Sequence, residues 1–439
     1  MSLIQELRDN ITIQEQSYDI YDVSEDIIIN GIISDDLARE LLKGFSNMSN
    51  RWLFMTTDPE NLRARSPLLF GACVLAGLHV NSTLHGSPTH YALYRHVHGL
   101  LGRSHLVSHS SLDTVQSMLI FSMWDLRPMR DSDHGNSWLL SGTAAMQLML
   151  TTPFDDLLIT TEGVEKQRAR EVIRTWNLIC LCQLQFSVGS GRPPVIAEQY
   201  LEQCAKVLEF PSYNARDGLV LAGIQLYRVL WSLTSSNSIQ TVEPTWPEID
   251  NLRKSQEGIY NLDSSEPLRF AYSCAYLILA RQTLQHLSES PCEDDKNDTP
   301  FIIFAISQSR KILEYFLSLS ELTSYVHPSY ENLLCSFAMV TLAEFVACVG
   351  NIGEVIVLMD RAISHIQRGG KAEPVSRWAL NTVRQHLSGE PDQGRLTSNE
   401  IQNIGQYLLP QETTTRPWED AYWEQEFPSL EEMFFANVM

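Results

Sequence analysis

The sequence predicts an all-α protein, a large multi-helix layered domain followed by an acidic aromatic C-terminal tail. Three observations carry that expectation. Valine, isoleucine and threonine rarely alternate with polar residues, and Asn30-Gly31 is the only short hairpin-like signal. Apolar residues recur instead at three- and four-residue spacing through seven long segments. Several of these segments are apolar around much of their circumference, so each needs other helices on most sides. With helices of about 12 residues, a chain this long has room for roughly fifteen to twenty of them, which exceeds a four-helix bundle.

The elements follow in chain order. Residues 1–28 form a polar lead, and the helical domain is placed at 29–390. Ser66 and Pro67 open the apolar run LLFGACVLAGLHV at 68–80: a serine side chain satisfies orphan amides, and proline in the first turn gives up an amide that has no partner there. Ser87-Pro88 repeats the device ahead of THYALYRHVHGLL. In SSLDTVQSMLIFSMWDL, residues Leu112, Val115, Leu119, Met123 and Leu126 share one face. The same spacing marks 165–187, 217–233, 267–288, 300–319, 329–349 and 353–367. The glycines and prolines of SVGSGRPPVI at 187–196 stop a helix. LSESPCEDDKNDTP at 287–300 reads as a loop, and LSGEPDQGRLTSNE at 387–400 separates the last strong helix from a linker and tail at 391–439. GNIGEVIVLMDRAISHIQRG at 350–369 looks like one unit of a helical-hairpin repeat but has no matching copies.

Charge and length exclude several classes. A formal charge of −21 and a pI near 4.9 repel a phosphate backbone, so direct nucleic-acid binding by this chain is not expected. The longest apolar run falls well short of the roughly 20 residues that span a bilayer, and the polar, acidic N-terminus is not signal-like. A soluble intracellular protein without membrane attachment is the expectation. The eight cysteines (Cys73, Cys180, Cys182, Cys204, Cys274, Cys292, Cys335 and Cys348) include no C-x-x-C pair and read mostly as reduced core thiols.

No catalytic or metal constellation emerges, and no cofactor is expected. GNSWLLSGTAAMQLML at 135–150 starts like a nucleophile elbow, but Leu139 occupies the place of the second glycine that such a strained turn needs. Eight of twelve histidines lie at 79–134: His79, His85, His90, His96, His98, His105, His109 and His134. His96 and His98 point about 200° apart on a helix. His105 and His109 have ligand spacing but fall in a helix end and loop, so exposed or capping histidines are expected rather than a metal site. SVGSGRPPVI lacks the lysine and hydroxyl of a phosphate loop. Asp113 and Glu171 are read as acids near helix starts, where they favour the dipole.

The C-terminus differs in kind. PWEDAYWEQEFPSLEEMFFANVM carries Trp418, Tyr422, Trp423, Phe427, Leu430, Met433 and Phe434 among six acids, with no basic residue. Acids keep such an aromatic segment soluble and available for docking, as in activation segments. Ser429 and Glu432 have capping-box spacing, and the helix they start puts Leu430, Met433, Phe434 and Val438 on one face, suited to a groove on a partner. The alternative is a terminal helix docked on its own domain.

Five blocks, in order and spacing, carry a family likeness: GIISDDLARELLKGF, LRARSPLLFGACVLAGLHV, SSLDTVQSMLIFSMWDLRP, GNSWLLSGTAAMQLML and RTWNLICLCQLQFSVGSGRPPVI. They resemble the middle regulatory domain of fungal zinc-cluster transcription factors over about residues 30–200. The family's DNA-binding module is a six-cysteine cluster holding two zinc ions, whereas the first cysteine here is Cys73 inside an apolar helix. The resemblance therefore implies that this module is lacking or was cut away. It also implies that GNSWLLSGTAAMQLML is a packed helix, with Trp138, Leu139, Ala145, Met146 and Met149 inward and Ser137 and Ser141 in caps or turns.

The function that follows is a nuclear regulatory module that senses a metabolite or a partner and controls the C-terminal segment, without enzymatic activity. Trp124, Trp138 and Trp176 are candidate linings of a pocket for a small-molecule inducer. A coactivator or corepressor would bind through the tail, and a homodimer is a further candidate assembly. Two rival classes are a constitutive protein-binding scaffold, including a DNA-binding-deficient partner of a related factor, and an α-helical metal-dependent enzyme built on the histidine-rich region.

Overall fold

The computed structural model describes residues 25–49, 59–79, 81, 83–104, 110–128, 137–154, 157, 164–211, 213–235, 243–289, 298–321, 327–368 and 374–388. Among the described residues there are sixteen α-helices and no strand, so the all-α expectation holds. The aromatic tail, the polar lead up to residue 24, His105, His109, His134 and Cys292 lie outside the described residues. Those described fall into two compact units.

The first unit draws on the described residues between 25 and 128 and within Ser137–Cys180 and Val195–Tyr213. Its helices are α1 (Asp35–Ser49), α2 (Pro59–Arg65), α3 (Pro67–His79), α4 (Pro88–Ser104), α5 (Leu112–Met123), α6 (Ser137–Thr151), the earlier part of α7 (Val164–Ser190) and α8 (Glu198–Leu201). A 3-10 segment, Glu202–Glu209, follows α8. Helix α3 is the centre: every residue from Pro67 to His79 is buried, and α1, α2, α4 and α5 all pack against it. The predicted caps form, with Ser66 Oγ accepting from the Leu69 amide at 3.2 Å and Ser87 Oγ accepting from the His90 amide at 3.2 Å. Helix α5 adds a third cap, Ser111 Oγ to the Thr114 amide at 3.2 Å. Where α1 crosses α3 the backbones touch, because a Cβ on Gly77 would run into the Leu41 carbonyl.

The second unit draws on the described residues within Leu181–Pro194 and between 214 and 388. It holds the end of α7 with α9 (Ala215–Ser235), α10 (Pro247–Ser255), α11 (Glu257–Tyr260), α12 (Glu266–Glu289), α13 (Asp298–Glu321), α14 (Ser329–Glu344), α15 (Ile352–Arg368) and α16 (Pro374–Ser388). Helix α12 packs on α9 and α13, α14 packs on α13 and α16, and α15 packs on α13 and α16. Helix α14 is buried on nearly all sides, as its sequence suggests.

Several expectations need correction. The segment at 329–349 is not one helix: α14 ends at Glu344 and a 3-10 turn, Val346–Cys348, follows. Helices α10 and α16 lack a long apolar pattern in the sequence and escaped that reading. Asn30-Gly31 makes a turn ahead of α1, with Gly31 at φ 66° and its amide donating to the Ile28 carbonyl at 2.9 Å, instead of a hairpin. Glu171 lies two turns inside α7, where it accepts from Gln116 Nε2 at 3.3 Å. Asp113 does occupy the first turn of α5, and Arg65 grips it through two nitrogens at 2.8 and 3.0 Å.

Helix α6 turns a different face inward from the one the family resemblance suggests. Leu139 and Met146 are exposed at 48% and 47%, while Ser137, Ser141, Gly142, Ala144, Ala145 and Leu148 are buried. Trp138 and Met149 are half-buried. The inward face is made of small residues, which lets α6 lie close to α5. The buried Ser141 hydroxyl is satisfied within the helix, its Oγ donating to the Ser137 carbonyl at 2.6 Å.

Six cysteines (Cys73, Cys180, Cys182, Cys204, Cys274 and Cys335) are free and buried, and Cys348 is exposed. Burial disfavours the thiolate: it pushes Cys182 up to about 12 and holds Cys73 and Cys274 well above the usual thiol range.

Candidate functional site

The three candidate tryptophans sit in different local settings of the first unit. Trp176, on α7, is fully buried; Phe154 and Tyr200 lie 4.9 and 6.3 Å away between ring centres. Its indole N–H donates to the Tyr200 carbonyl at 3.1 Å, and next to it Asn177 Nδ2 donates to the Cys204 carbonyl at 3.1 Å. These two bonds staple α7 to the α8 segment. Lys206 completes the arrangement by donating to the Phe154 carbonyl at 2.6 Å. Trp124 ends α5, buried edge-on against Phe45 of α1 at 6.5 Å, and its amide donates to the Ile120 carbonyl. Trp138 lies in the first turn of α6.

Histidines come together in a way that spacing along the chain did not reveal. His79 at the end of α3, His85 in the following turn and His90 in the first turn of α4 bring their rings within 5.0–6.4 Å of one another. His79 and His90 are buried, which corrects the expectation of exposed histidines. Both nitrogens of His90 are engaged: Nδ1 accepts from the Gly86 amide at 3.1 Å, and Nε2 faces the Leu126 carbonyl at 3.1 Å. A carbonyl needs a donor and an amide needs an acceptor, so this ring is the neutral Nε2–H tautomer. His96 meets the Glu25 carbonyl through Nε2 at 2.9 Å, and His98 stacks on Tyr94. Among the described residues no group of three or more His, Cys, Asp or Glu side chains is arranged to hold a metal ion.

The second unit carries its own polar interior. Tyr330 of α14 meets Phe186 and Tyr227 edge-on at 5.6 and 5.7 Å, and burial raises both tyrosine hydroxyls well above the usual phenol range. His327 stacks on Phe316 at 3.7 Å, and its Nδ1 lies 2.7 Å from Glu331 Oε2. Tyr272 donates to Gln256 Oε1 at 2.9 Å, and Gln256 in turn donates to Gln225 Oε1 at 2.8 Å. Sequence reading missed this interior because its members come from helices far apart in the chain; the one local trace is the four-residue spacing of His327 and Glu331.

The helical interior alone does not define a function, and the class comes from the relatives. The family model described as "Transcriptional activator of proteases prtT middle domain" matches residues 31–366, and the chain belongs to that family. This bears out the resemblance read from the five sequence blocks and makes the chain the middle domain of a transcription regulator. The Transcriptional activator of proteases prtT of Aspergillus fumigatus is 26% identical over 335 residues, 73% of this chain and 44% of that protein. Its namesake in Aspergillus niger is 25% identical over 331 residues, 74% of this chain and 51% of that protein. A protein named as an uncharacterised transcriptional regulatory protein of Schizosaccharomyces pombe is 24% identical over 311 residues, 67% and 56% of the two chains. The chain thus spans about half the length of the curated relatives it matches. No solved structure matches it significantly. Among the described residues, no helix is long and apolar enough to cross a membrane.

Proposed function

We propose that this chain is the signal-receiving module of a fungal transcription activator, working in the nucleus and controlling how its acidic aromatic segment meets a coactivator or corepressor. The family match across 31–366 is the observation that carries this reading, since it spans residues of both helical units. The signal is a small molecule or a protein that binds one state of the helical interior better than another; only such a difference in affinity shifts the population toward a released tail. Trp124, Trp138 and Trp176 are the proposed contacts of a small-molecule inducer. The chain needs no cofactor and performs no bond chemistry in this account. DNA contact, through a zinc cluster, belongs to a separate module, and self-association into a homodimer is compatible with the scheme.

The test uses the full chain and a metabolite collection. A compound that raises the melting temperature identifies a ligand of the folded state, and hydrogen exchange in residues 412–439 is then compared with and without that compound. The proposal expects faster exchange in the tail. Stabilisation with unchanged tail exchange removes the release mechanism.

One observation favours a second reading, that of a constitutive protein-binding scaffold or a DNA-binding-deficient partner of a related factor. Leu139, Met146 and Leu150 are 48%, 47% and 58% exposed and fall on one face of α6, at spacings of seven and four residues. A scaffold gains no stability from any compound in the collection, whereas a sensor does.

A further inference from the structure

We propose that the cluster of His79, His85 and His90 is an acid-released latch: neutral His90 ties the turn before α4 to the segment leaving α5, and protonation of its ring unties them. The geometry states the reason. Gly86, in the left-handed region at φ 71°, donates its amide to His90 Nδ1, and the opposite nitrogen donates to the Leu126 carbonyl. An imidazolium has two donors and no acceptor. A proton on Nδ1 would therefore face the Gly86 amide hydrogen, donor against donor, inside a site where His90 is 0% exposed.

The surroundings reinforce the neutral state. From α3 comes His79; from the turn, half-buried His85; and from the segment after α5, Asp125 with Arg127. Tyr91 and Tyr94 are the neighbouring ionisable groups on α4 itself, and farther along that helix Arg103 pairs with Glu25. Asp125 favours a cation here, but it is 46% exposed and is gripped by Arg127 through two bonds of 2.6 Å, so its charge is largely answered already. Burial is the stronger influence: it lowers His85 and takes His90 down to about 4. The first turn of α4 also disfavours positive charge, because the helix dipole is positive at that end.

The direction with pH follows. As the folded-state value of His90 lies below its ordinary 6.5, the unfolded or opened segment takes up a proton first as pH falls. The latch is fully effective above about 6.5, weakens progressively as pH falls toward about 4, and loses nothing more below that.

The test compares hydrogen exchange of the full chain at about pH 7.5 and about pH 5, corrected for intrinsic rates, in peptides covering 83–92. Wild-type protection there should fall by about thirty-fold from this linkage. In His90→Gln, whose amide keeps one acceptor for Gly86 and one donor for Leu126 without titrating, that extra loss should vanish. Equal acid-induced loss in both proteins overturns the latch. Should His90→Gln fail to fold, nitrogen NMR of histidine-labelled wild-type protein decides: a ring that stays in the Nε2–H form to about pH 5 supports the latch, and one that titrates near 6.5 overturns it.

Discussion

Glu331 is 4% exposed and His327 is 5% exposed, so their contact is made away from solvent. The pair is closed by a 2.7 Å contact at the start of α14, where a carboxylate also favours the helix dipole. Substituting Glu331→Ala should cost about 2 kcal/mol or more in chemical denaturation, since it removes a buried hydrogen-bond partner of His327 and opens a void. Glu331→Gln keeps an acceptor and should cost clearly less. A loss as large for glutamine as for alanine would show that charge, not hydrogen bonding, is what the site requires. Residue-scale features divide cleanly by range. Ser66-Pro67 and Ser87-Pro88 were legible because a cap is a contact within three residues. The His79–His85–His90 cluster was not, because a turn folded back between α3 and α4 makes neighbours of side chains that helical spacing alone keeps apart.

At the scale of elements, packing distance decides which residues face inward, and hydrophobicity alone misjudges it. Helix α6 shows this: its bulky Leu139, Met146 and Leu150 look outward while Ser141, Gly142 and Ala145 look inward. Replacing Ala145, fully buried, with leucine should destabilise by about 1–3 kcal/mol through overpacking, whereas Leu139→Ser should change stability by about 0.5 kcal/mol or less. The crossing of α1 and α3 makes a parallel case. Gly77→Ala gains a little helix propensity but drives a methyl into the Leu41 carbonyl, so a net loss of about 1–3 kcal/mol is expected. Gly44→Ala, with nothing within 4 Å of the new methyl, should instead stabilise by up to about 1 kcal/mol. Thermal or urea unfolding of these variants checks the three signs and the near-neutral change at Leu139. The long helices α7, α9, α12 and α13 were legible from periodicity; α10 and α16 were not, because short amphipathic helices rely on the surface they cover more than on their own apolar content.

For the whole molecule, the all-α class and the family were accessible from sequence, because repeated apolar spacing and an ordered set of blocks survive even where identity is about a quarter. The division of the helical region into two units was not, since α7 runs without a sequence break from one into the other. Nor was the polar interior of the second unit, which is assembled from α7, α9, α12, α13 and α14. The central claim is that this middle domain governs transcription through its acidic aromatic end. It is tested most directly by fusing the full chain to an unrelated DNA-binding domain and measuring a reporter gene. The fusion should activate the reporter, and alanine at Trp418, Trp423, Phe427 and Phe434 should lower that output by about tenfold or more, as the loss of aromatic anchors does at protein interfaces. Output equal to that of the DNA-binding domain alone, or activation untouched by the four substitutions, would contradict the account.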